Sequence, residues 1–154
     1  MQELRLDILG TDQLYDRVLS QPENHDLFDE KEVQGERVKR LRYLQPTSGL
    51  FSKHKESHFV VSLDNTRIVA AGTIQTNPYN EEQIWVCHVS VEDGHQGKGF
   101  ARKILEAIYV YAVEHGQKVV AGSFTERGQC LKHIHTELDA RYPQAASGVP
   151  HKDF

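Results

Sequence analysis

The hydrophobic residues of the N-terminal part of the chain first alternate with polar ones and then recur at helical spacing. Alternation over residues 4–8 predicts a first strand. Thr11 then offers an N-cap for a short helix over residues 11–20. Residues 30–45 carry valine and leucine on one side of a helical wheel before Pro46, which predicts a second, amphipathic helix.

The middle of the chain has the alternation and turn residues of paired strands. The stretches HFVVSL (58–63) and RIVAAGTIQ (67–75) flank Asp-Asn-Thr, a turn-forming cluster, and together predict an antiparallel hairpin. QIWVCHVSV (83–91) is rich in β-branched and aromatic residues and predicts a third strand. The three strands would form a meander.

The C-terminal half begins with the strongest helical pattern in the chain. Apolar positions over residues 101–112 lie on one face, and Gly116 is placed to end that helix. Residues 118–124 predict a strand parallel to the preceding one, reached by a right-handed crossover. Residues 131–138 predict a last helix, with Thr125 as a candidate cap.

This order of elements predicts an α+β, three-layer α/β/α fold in which a mixed sheet is flanked by helices. A chain of 154 residues with 38% hydrophobic content can bury one sizeable core. We therefore expect a single domain over residues 1–154, of which residues 142–154 form an irregular tail.

Composition narrows the class of protein. Eighteen Lys and Arg against 22 Asp and Glu give a net charge of -4, which disfavours a partner that is nucleic acid or an anionic membrane. Cys87 and Cys130 stand far apart without a CxxC or paired histidine spacing, so neither a metal site nor a disulfide framework is indicated. The N-terminus lacks a signal-peptide pattern, and no apolar run approaches the ~20 residues of a membrane span. The expected location is the cytoplasm.

Residues 95–105, HQGKGFARKIL, place two glycines between a strand and the start of a helix. The first amides of a helix lack internal partners and lie at the positive end of its dipole, so they can donate to phosphate oxygens. Gly97 and Gly99 allow close approach of a ligand and positive φ angles. The alternative is a tight turn that binds nothing. The phosphate loop of P-loop NTPases and the Rossmann fingerprint both fail to match here.

Residues 96–101 also carry a resemblance. They fit the Q/R-x-x-G-x-G/A acyl-coenzyme A signature of the GNAT superfamily of N-acetyltransferases, and the order of elements from about residue 3 to residue 138 is similar to that family's core. The residues of the signature are Gln96, Gly97, Lys98, Gly99, Phe100 and Ala101.

The resemblance implies a GNAT-like, mostly antiparallel sheet and acetyl-CoA as the acyl-donor substrate. It implies that backbone amides from Gly97 to Arg102 hold the pyrophosphate. It also implies that the main chain near Val89 and Val91 pairs with the pantetheine arm where two strands splay apart.

The activity that the resemblance implies is transfer of an acetyl group to a primary amine, by direct attack, on a small-molecule or peptide acceptor. Two alternatives are a catalytically degenerate relative that binds acyl-CoA as a sensor or scaffold, and an α+β interaction domain whose loop binds nothing.

Histidines are the candidates for proton transfer. His88 lies at the centre of the third meander strand, and an imidazole with a pKa near ~6.5 can accept a proton at neutral pH; alternatively it hydrogen-bonds a neighbour. His133 stands closest to the position where relatives carry a general-acid tyrosine; alternatively it is a solvated helix residue. The direct mechanism needs no acyl-enzyme, so Cys87 is expected to be a small buried hydrophobe and not a nucleophile.

Only twelve residues follow Tyr142, whereas the family commonly ends with two more strands that wall off the acceptor site. A shortened C-terminal end of the sheet is therefore expected. Either the site is open or a second subunit completes it in a homodimer.

Overall fold

The computed structural model describes residues 3–33, 36–41, 56–64, 66–77, 79–121 and 129–147, without the side chains of residues 11, 15, 28–41, 88, 121, 129 and 130. The strands are β1 (Leu4–Gly10), β2 (Phe28–Val33), β3 (Glu36–Leu41), β4 (Glu56–Leu63), β5 (Arg67–Asn77), β6 (Asn80–Val91) and β7 (Lys118–Ala121). The α-helices are α1 (Thr11–Ser20), α2 (Phe100–His115) and α3 (Gln129–Arg141). Short 3₁₀ helices cover Pro22–Leu27, Asp93–His95 and Pro143–Ala145.

Five strands form the main sheet in the order β1-β4-β5-β6-β7. The first four pair antiparallel, and β7 pairs parallel to β6. Strands β2 and β3 form a separate antiparallel pair. The predicted mixed, mostly antiparallel sheet flanked by helices is confirmed.

Hydrophobic residues on the two faces of the sheet form two cores. On β4, Phe59, Val61 and Leu63 pack in the core that contains α2 and α3. Val60, on the opposite face of the same strand, packs with Leu14 and other residues around α1. Successive residues of a strand point to opposite faces of the sheet. A strand that is apolar at nearly every position, such as β4, can therefore pack against helices on both faces.

Most predicted elements are where the sequence patterns place them. The hairpin is β4 and β5, and the strongest helical pattern is α2, which ends at Gly116 with φ +65°. The parallel crossover from β6 to β7 is confirmed over residues 118–121. Residues 122–124 and the candidate cap Thr125 lie outside the described residues.

The predicted helix over residues 30–45 is wrong where the structure describes it, at residues 30–33 and 36–41; residues 34–35 and 42–45 lie outside the described residues. Residues 36–41 form β3, which pairs with β2 from Val33–Glu36 to Phe28–Leu41. Two residues separate these strands, and one of them is Gly35, a spacing typical of tight hairpins. Val38 and Leu41 are three residues apart, a spacing that also fits one face of a helix. Pairing with β2 nevertheless makes residues 36–41 a strand. Thr11 is the first helical residue rather than the cap, which is Gly10, whose amide donates to Gln13 Oε1 at 2.9 Å.

Strand β6 contains a bulge that sets the direction of its side chains. The pairing with β5 passes from Ile74–Val86 to Thr73–His88, so Cys87 is an extra residue on β6. Val86 and Val89 consequently pack against the same core although they are three residues apart. The bulge thus changes which residues of β6 face α2.

None of the helices in the described ranges combines the length and the apolar composition needed to cross a membrane.

Candidate functional site

The loop between β6 and α2 folds back against the end of β6. After the 3₁₀ turn Asp93–His95, the Gln96 side chain donates to the Val91 carbonyl oxygen and to Asp93 Oδ1, both at 3.4 Å. Gln96 therefore braces the loop against the strand. These hydrogen bonds hold the shape of the loop that carries the two glycines.

Both glycines of the loop have left-handed backbone conformations. Gly97 has φ +80° and Gly99 has φ +82°, values that residues with a Cβ rarely adopt. A Cβ built at either position meets no heavy atom of the described residues within 4 Å. The space above these two glycines is therefore open, and the requirement for glycine comes from the backbone angle.

The first turn of α2 presents free amides beside this open space. Gly99 is the N-cap, and no described side chain hydrogen-bonds it as a cap. The first intrahelical bond runs from the Lys103 amide to the Gly99 carbonyl oxygen at 3.1 Å. The amides of residues 100–102 precede it and have no intrahelical acceptor. Together with the helix dipole they form a site suited to an anion.

The side chains of the loop contribute differently from its main chain. Lys98 is exposed, whereas the Phe100 side chain is buried in the core on the α2 face. Arg102 contacts Glu137 of α3 at 2.6 Å, and this hydrogen bond raises the pKa of Arg102 and lowers the pKa of Glu137. The Phe100 side chain therefore anchors the helix start in the core, whereas the Arg102 side chain pairs with Glu137 and stays 45% exposed.

The end of β6 leads into this loop. Val89 and Val91 are half-buried, pack against the α2-side core and pair with Gly72 and Ala70 of β5. The pairing with β7 covers Gln83–Val86 of β6 within the described residues. The main chain at Val89 and Val91 thus lies between the bulge and the glycine loop.

The structure places the two candidate histidines on different elements. The backbone of His88 lies in β6 opposite Thr73, and its side chain is outside the described part of the structure. His133 is exposed on α3, one turn before Glu137, and lies near enough to contribute to the lowered pKa of Glu137. Since Glu137 contacts the first turn of α2, His133 lies toward the glycine-loop end of the helix pair.

Cys87 is exposed at the bulge, so the expectation that it is buried is wrong. Its sulfur lies 3.8 Å from Gln75 Oε1. Desolvation by the surrounding protein, followed by the Glu56 carboxylate, raises the pKa of the Cys87 thiol to about 11. The thiol is therefore protonated at neutral pH, which fits the expectation that it is not a nucleophile.

A polar cluster that the sequence reasoning missed lies on the α1 face of the sheet, beside the bulge. Its members are Glu56 and His58 on β4 and Thr73 and Gln75 on β5, and the register pairs Glu56 with Gln75 and His58 with Thr73. His58 Nδ1 lies 2.9 Å from Thr73 Oγ1. In the sequence these residues are polar positions within two apolar strands, and the register shift between Val61 and Ser62 is needed to pair them.

No group of three or more metal-ligating side chains occurs in the ranges that the structure describes.

The sequence that surrounds and includes the glycine loop is similar to that of a known protein family. The sequence profile of the Acetyltransferase (GNAT) family matches residues 13–128. The chain belongs to the GNAT acetyltransferase family. No curated protein sequence matched it.

Solved GNAT structures have the same fold. An aminoglycoside acetyltransferase, HMB0005, from an uncultured soil metagenomic sample is 13% identical with a TM-score of 0.56, over 99% of this chain and 97% of that one. The spermidine/spermine N-acetyltransferase SpeG from Vibrio cholerae is 16% identical with a TM-score of 0.51, over 87% and 77%. A Bacillus anthracis protein in complex with acetyl coenzyme A is 13% identical with a TM-score of 0.52, over 88% and 82%.

GNAT acetyltransferases use acetyl-CoA as the acyl donor. The loop of this chain fits a pyrophosphate, because it combines free helix amides, an uncapped N-terminus and open space above Gly97 and Gly99.

Proposed function

We propose that this protein is an N-acetyltransferase that moves the acetyl group of acetyl-CoA to a primary amine by direct attack. The observation that carries the proposal is the glycine loop, in which two glycines at positive φ leave the amides of the first turn of α2 open to an anion.

The donor would lie against residues 97–102, with their amides on the pyrophosphate and Lys98 adding positive charge. The main chain at Val89 and Val91 would hold the pantetheine arm. The side chain of Gln96 would keep the loop in shape through Val91, as it does in the structure.

In the reaction the amine nitrogen forms a bond to the acetyl carbon, the carbon–sulfur bond breaks, and its electron pair leaves with the thiolate. The amine must also lose a proton, the tetrahedral oxyanion needs a hydrogen-bond donor, and the thiolate takes up a proton. We propose His88 as the group that accepts the amine proton and the Val89 amide as the donor to the tetrahedral oxyanion. His133 is our candidate for protonating the thiolate, with solvent as the alternative.

An acyl-enzyme on Cys87 is not part of the proposal. With its pKa raised to about 11, this thiol is a poor nucleophile at neutral pH. Direct attack by the amine needs no such intermediate.

The acceptor class is a primary amine on a small molecule or a peptide. Similar folds belong to enzymes whose names include aminoglycosides and spermidine or spermine, both classes of amine. We further propose that residues 1–154 form one domain, with the acceptor site either open or completed by a second copy in a homodimer.

The test is release of free coenzyme A thiol from acetyl-CoA across a panel of amines, run beside thermal shifts with coenzyme A. Turnover with an amine supports the proposal. A thermal shift without turnover on any amine would favour an acyl-CoA-binding sensor. No thermal shift at millimolar coenzyme A would refute both the acetyltransferase and the acyl-CoA-binding sensor. Gly97→Glu should remove the shift, because its carboxylate would enter the anion site.

A further inference from the structure

The polar cluster on the α1 face of the sheet contains a histidine that the proposed reaction does not yet use. His58 is 0% exposed, whereas Thr73 keeps 6% of its surface accessible. Both residues are therefore buried, and of the two only Thr73 keeps some accessible surface. Buried polar side chains on an otherwise apolar sheet are held by specific hydrogen bonds, and those of His58 define its state.

The two ring nitrogens of His58 face different partners. Nε2 lies 3.8 Å from Glu56 Oε2, and Nδ1 lies 2.9 Å from Thr73 Oγ1. An ionised carboxylate only accepts hydrogen bonds, so the nitrogen that faces it is the one that favourably carries hydrogen. In the neutral ring Nδ1 is then an acceptor, and Thr73 donates its hydroxyl hydrogen to it.

This arrangement fixes the orientation of the Thr73 hydroxyl. Strand β5 lies between β4 and β6, with Thr73 paired to His58 on one side and to His88 on the other. Because its hydrogen is directed to His58 on β4, the oxygen keeps its acceptor capacity for a group on the β6 side. That side carries the bulge and leads into the glycine loop.

The charges around His58 agree with this orientation. Glu56 on β4 places its carboxylate 3.8 Å from Nε2 of His58, and Cys87 on β6 is protonated at neutral pH. On β1 the residue opposite His58 is Leu9, which packs in the α1-side core. The ion pair between Asp7 of β1 and Arg17 of α1 lies farther along β1 and β4, where Asp7 is opposite Val60.

We propose that His58 is a positioning residue of the acetyl-transfer site: it takes the hydroxyl hydrogen of Thr73, so that the Thr73 oxygen accepts a hydrogen bond from the N–H of the reacting amine. This inference rests on the proposed acetyl transfer and adds an acceptor-side residue to it. As the amine nitrogen bonds to the acetyl carbon it becomes positively charged. The hydrogen bond to Thr73 then strengthens, which favours the transition state over the bound amine.

The kinetic test compares four variants with an amine that the wild-type protein acetylates. Thr73→Val keeps the shape of the side chain and removes the hydroxyl, and Thr73→Ser restores a hydroxyl. We expect Thr73→Val and His58→Gln to lower kcat about 10- to 100-fold, with an unchanged KM for acetyl-CoA. Thr73→Ser should recover most of the rate that Thr73→Val loses. A purely structural role would not make the rate depend on the hydroxyl.

His135→Gln is the matched control. His135 is 1% exposed and also has a hydroxyl at Nδ1, that of Tyr109 at 3.1 Å, but it lies in the core on the α2 side. It should lose stability as His58→Gln does while keeping its kcat. Equal kcat in Thr73→Val and Thr73→Ser, or equal losses in His58→Gln and His135→Gln, would overturn the inference.

A second measurement is independent of turnover. Long-range ¹H–¹⁵N NMR of the wild-type protein reports which ring nitrogen of His58 carries hydrogen. We expect the neutral form with hydrogen on Nε2. The other tautomer or an imidazolium would overturn the inference even if acetyl transfer is observed. Absence of turnover on every amine would instead overturn the proposed function.

Discussion

Replacement of Gly99 by alanine distinguishes two reasons for glycine at the start of α2: the left-handed backbone conformation and the binding of the donor's pyrophosphate. Gly99 has φ +82°, and a Cβ added there would have no heavy atom within 4 Å, so the substitution strains the backbone without a clash in the free protein. A left-handed conformation costs a residue with a Cβ about 1–2 kcal/mol. For a protein of this size that corresponds to a decrease in Tm of roughly 2–8 °C.

Gly116 is the matched control at the other end of the same helix. It has φ +65° and the same open surroundings, so Gly116→Ala should lose a similar ~1–2 kcal/mol of stability. The two variants should differ in donor binding. In Gly99→Ala the methyl group and the strained loop disturb hydrogen bonds to an anion, each contributing about 1.5–3 kcal/mol, so the Kd for acetyl-CoA should rise at least about tenfold.

Denaturant unfolding gives the stability of both variants, and isothermal titration calorimetry with acetyl-CoA gives their Kd. The expected result is equal loss of stability with weaker donor binding in Gly99→Ala alone. If Gly99→Ala bound acetyl-CoA as tightly as Gly116→Ala, the assignment of the glycine loop to the pyrophosphate would be refuted.

Two groups with raised pKa values, Cys87 and Tyr109, give further predictions. Since the pKa of the Cys87 thiol is raised to about 11, site-resolved mass spectrometry should show alkylation by iodoacetamide at pH 7.5 about 100-fold slower than for a cysteine of ordinary pKa, and Cys87→Ser should keep acetyl transfer. Burial raises the pKa of Tyr109, whose hydroxyl donates to Asp139 at 2.7 Å, so the unfolding free energy should fall as pH rises above ~10, where the unfolded chain ionises first. Tyr109→Phe should lower the unfolding free energy at pH 7 by about 1–3 kcal/mol and reduce that alkaline decrease.

Each of these has a contradicting outcome. Rapid alkylation of Cys87 together with inactive Cys87→Ser would make the thiol a candidate nucleophile. An alkaline decrease of equal size in Tyr109→Phe and in the wild-type protein would assign that decrease to other groups.

The elements that can be predicted are those whose signal is local and repeated. The helix α2 shows its apolar face over several turns and ends at a glycine, and the glycine loop is a short motif read directly from the sequence. The hairpin β4–β5 is predicted from alternation and a turn cluster. In each case a few neighbouring residues suffice to specify the backbone.

The elements that sequence reasoning missed depend on contacts between strands. Residues 36–41 carry spacing that also fits a helix, and pairing with β2 decides their conformation. The facing of His58 and Thr73 requires the register of the hairpin, which includes an irregularity between Val61 and Ser62. A bulge changes register by one residue and leaves little trace in composition, so the polar cluster becomes evident only once the strands are paired.

The bulge at Cys87 has a consequence for variation within this strand. Because Cys87 shifts the alternation by one position, Val89 and Val91 face the same core as Val86. Deleting that single residue would turn both valines, and the origin of the glycine loop after them, through half a turn about the strand axis. The number of residues in β6 therefore matters more than the identity of the residue at the bulge. An insertion or deletion in this strand would separate the glycine loop from the sheet that supports it.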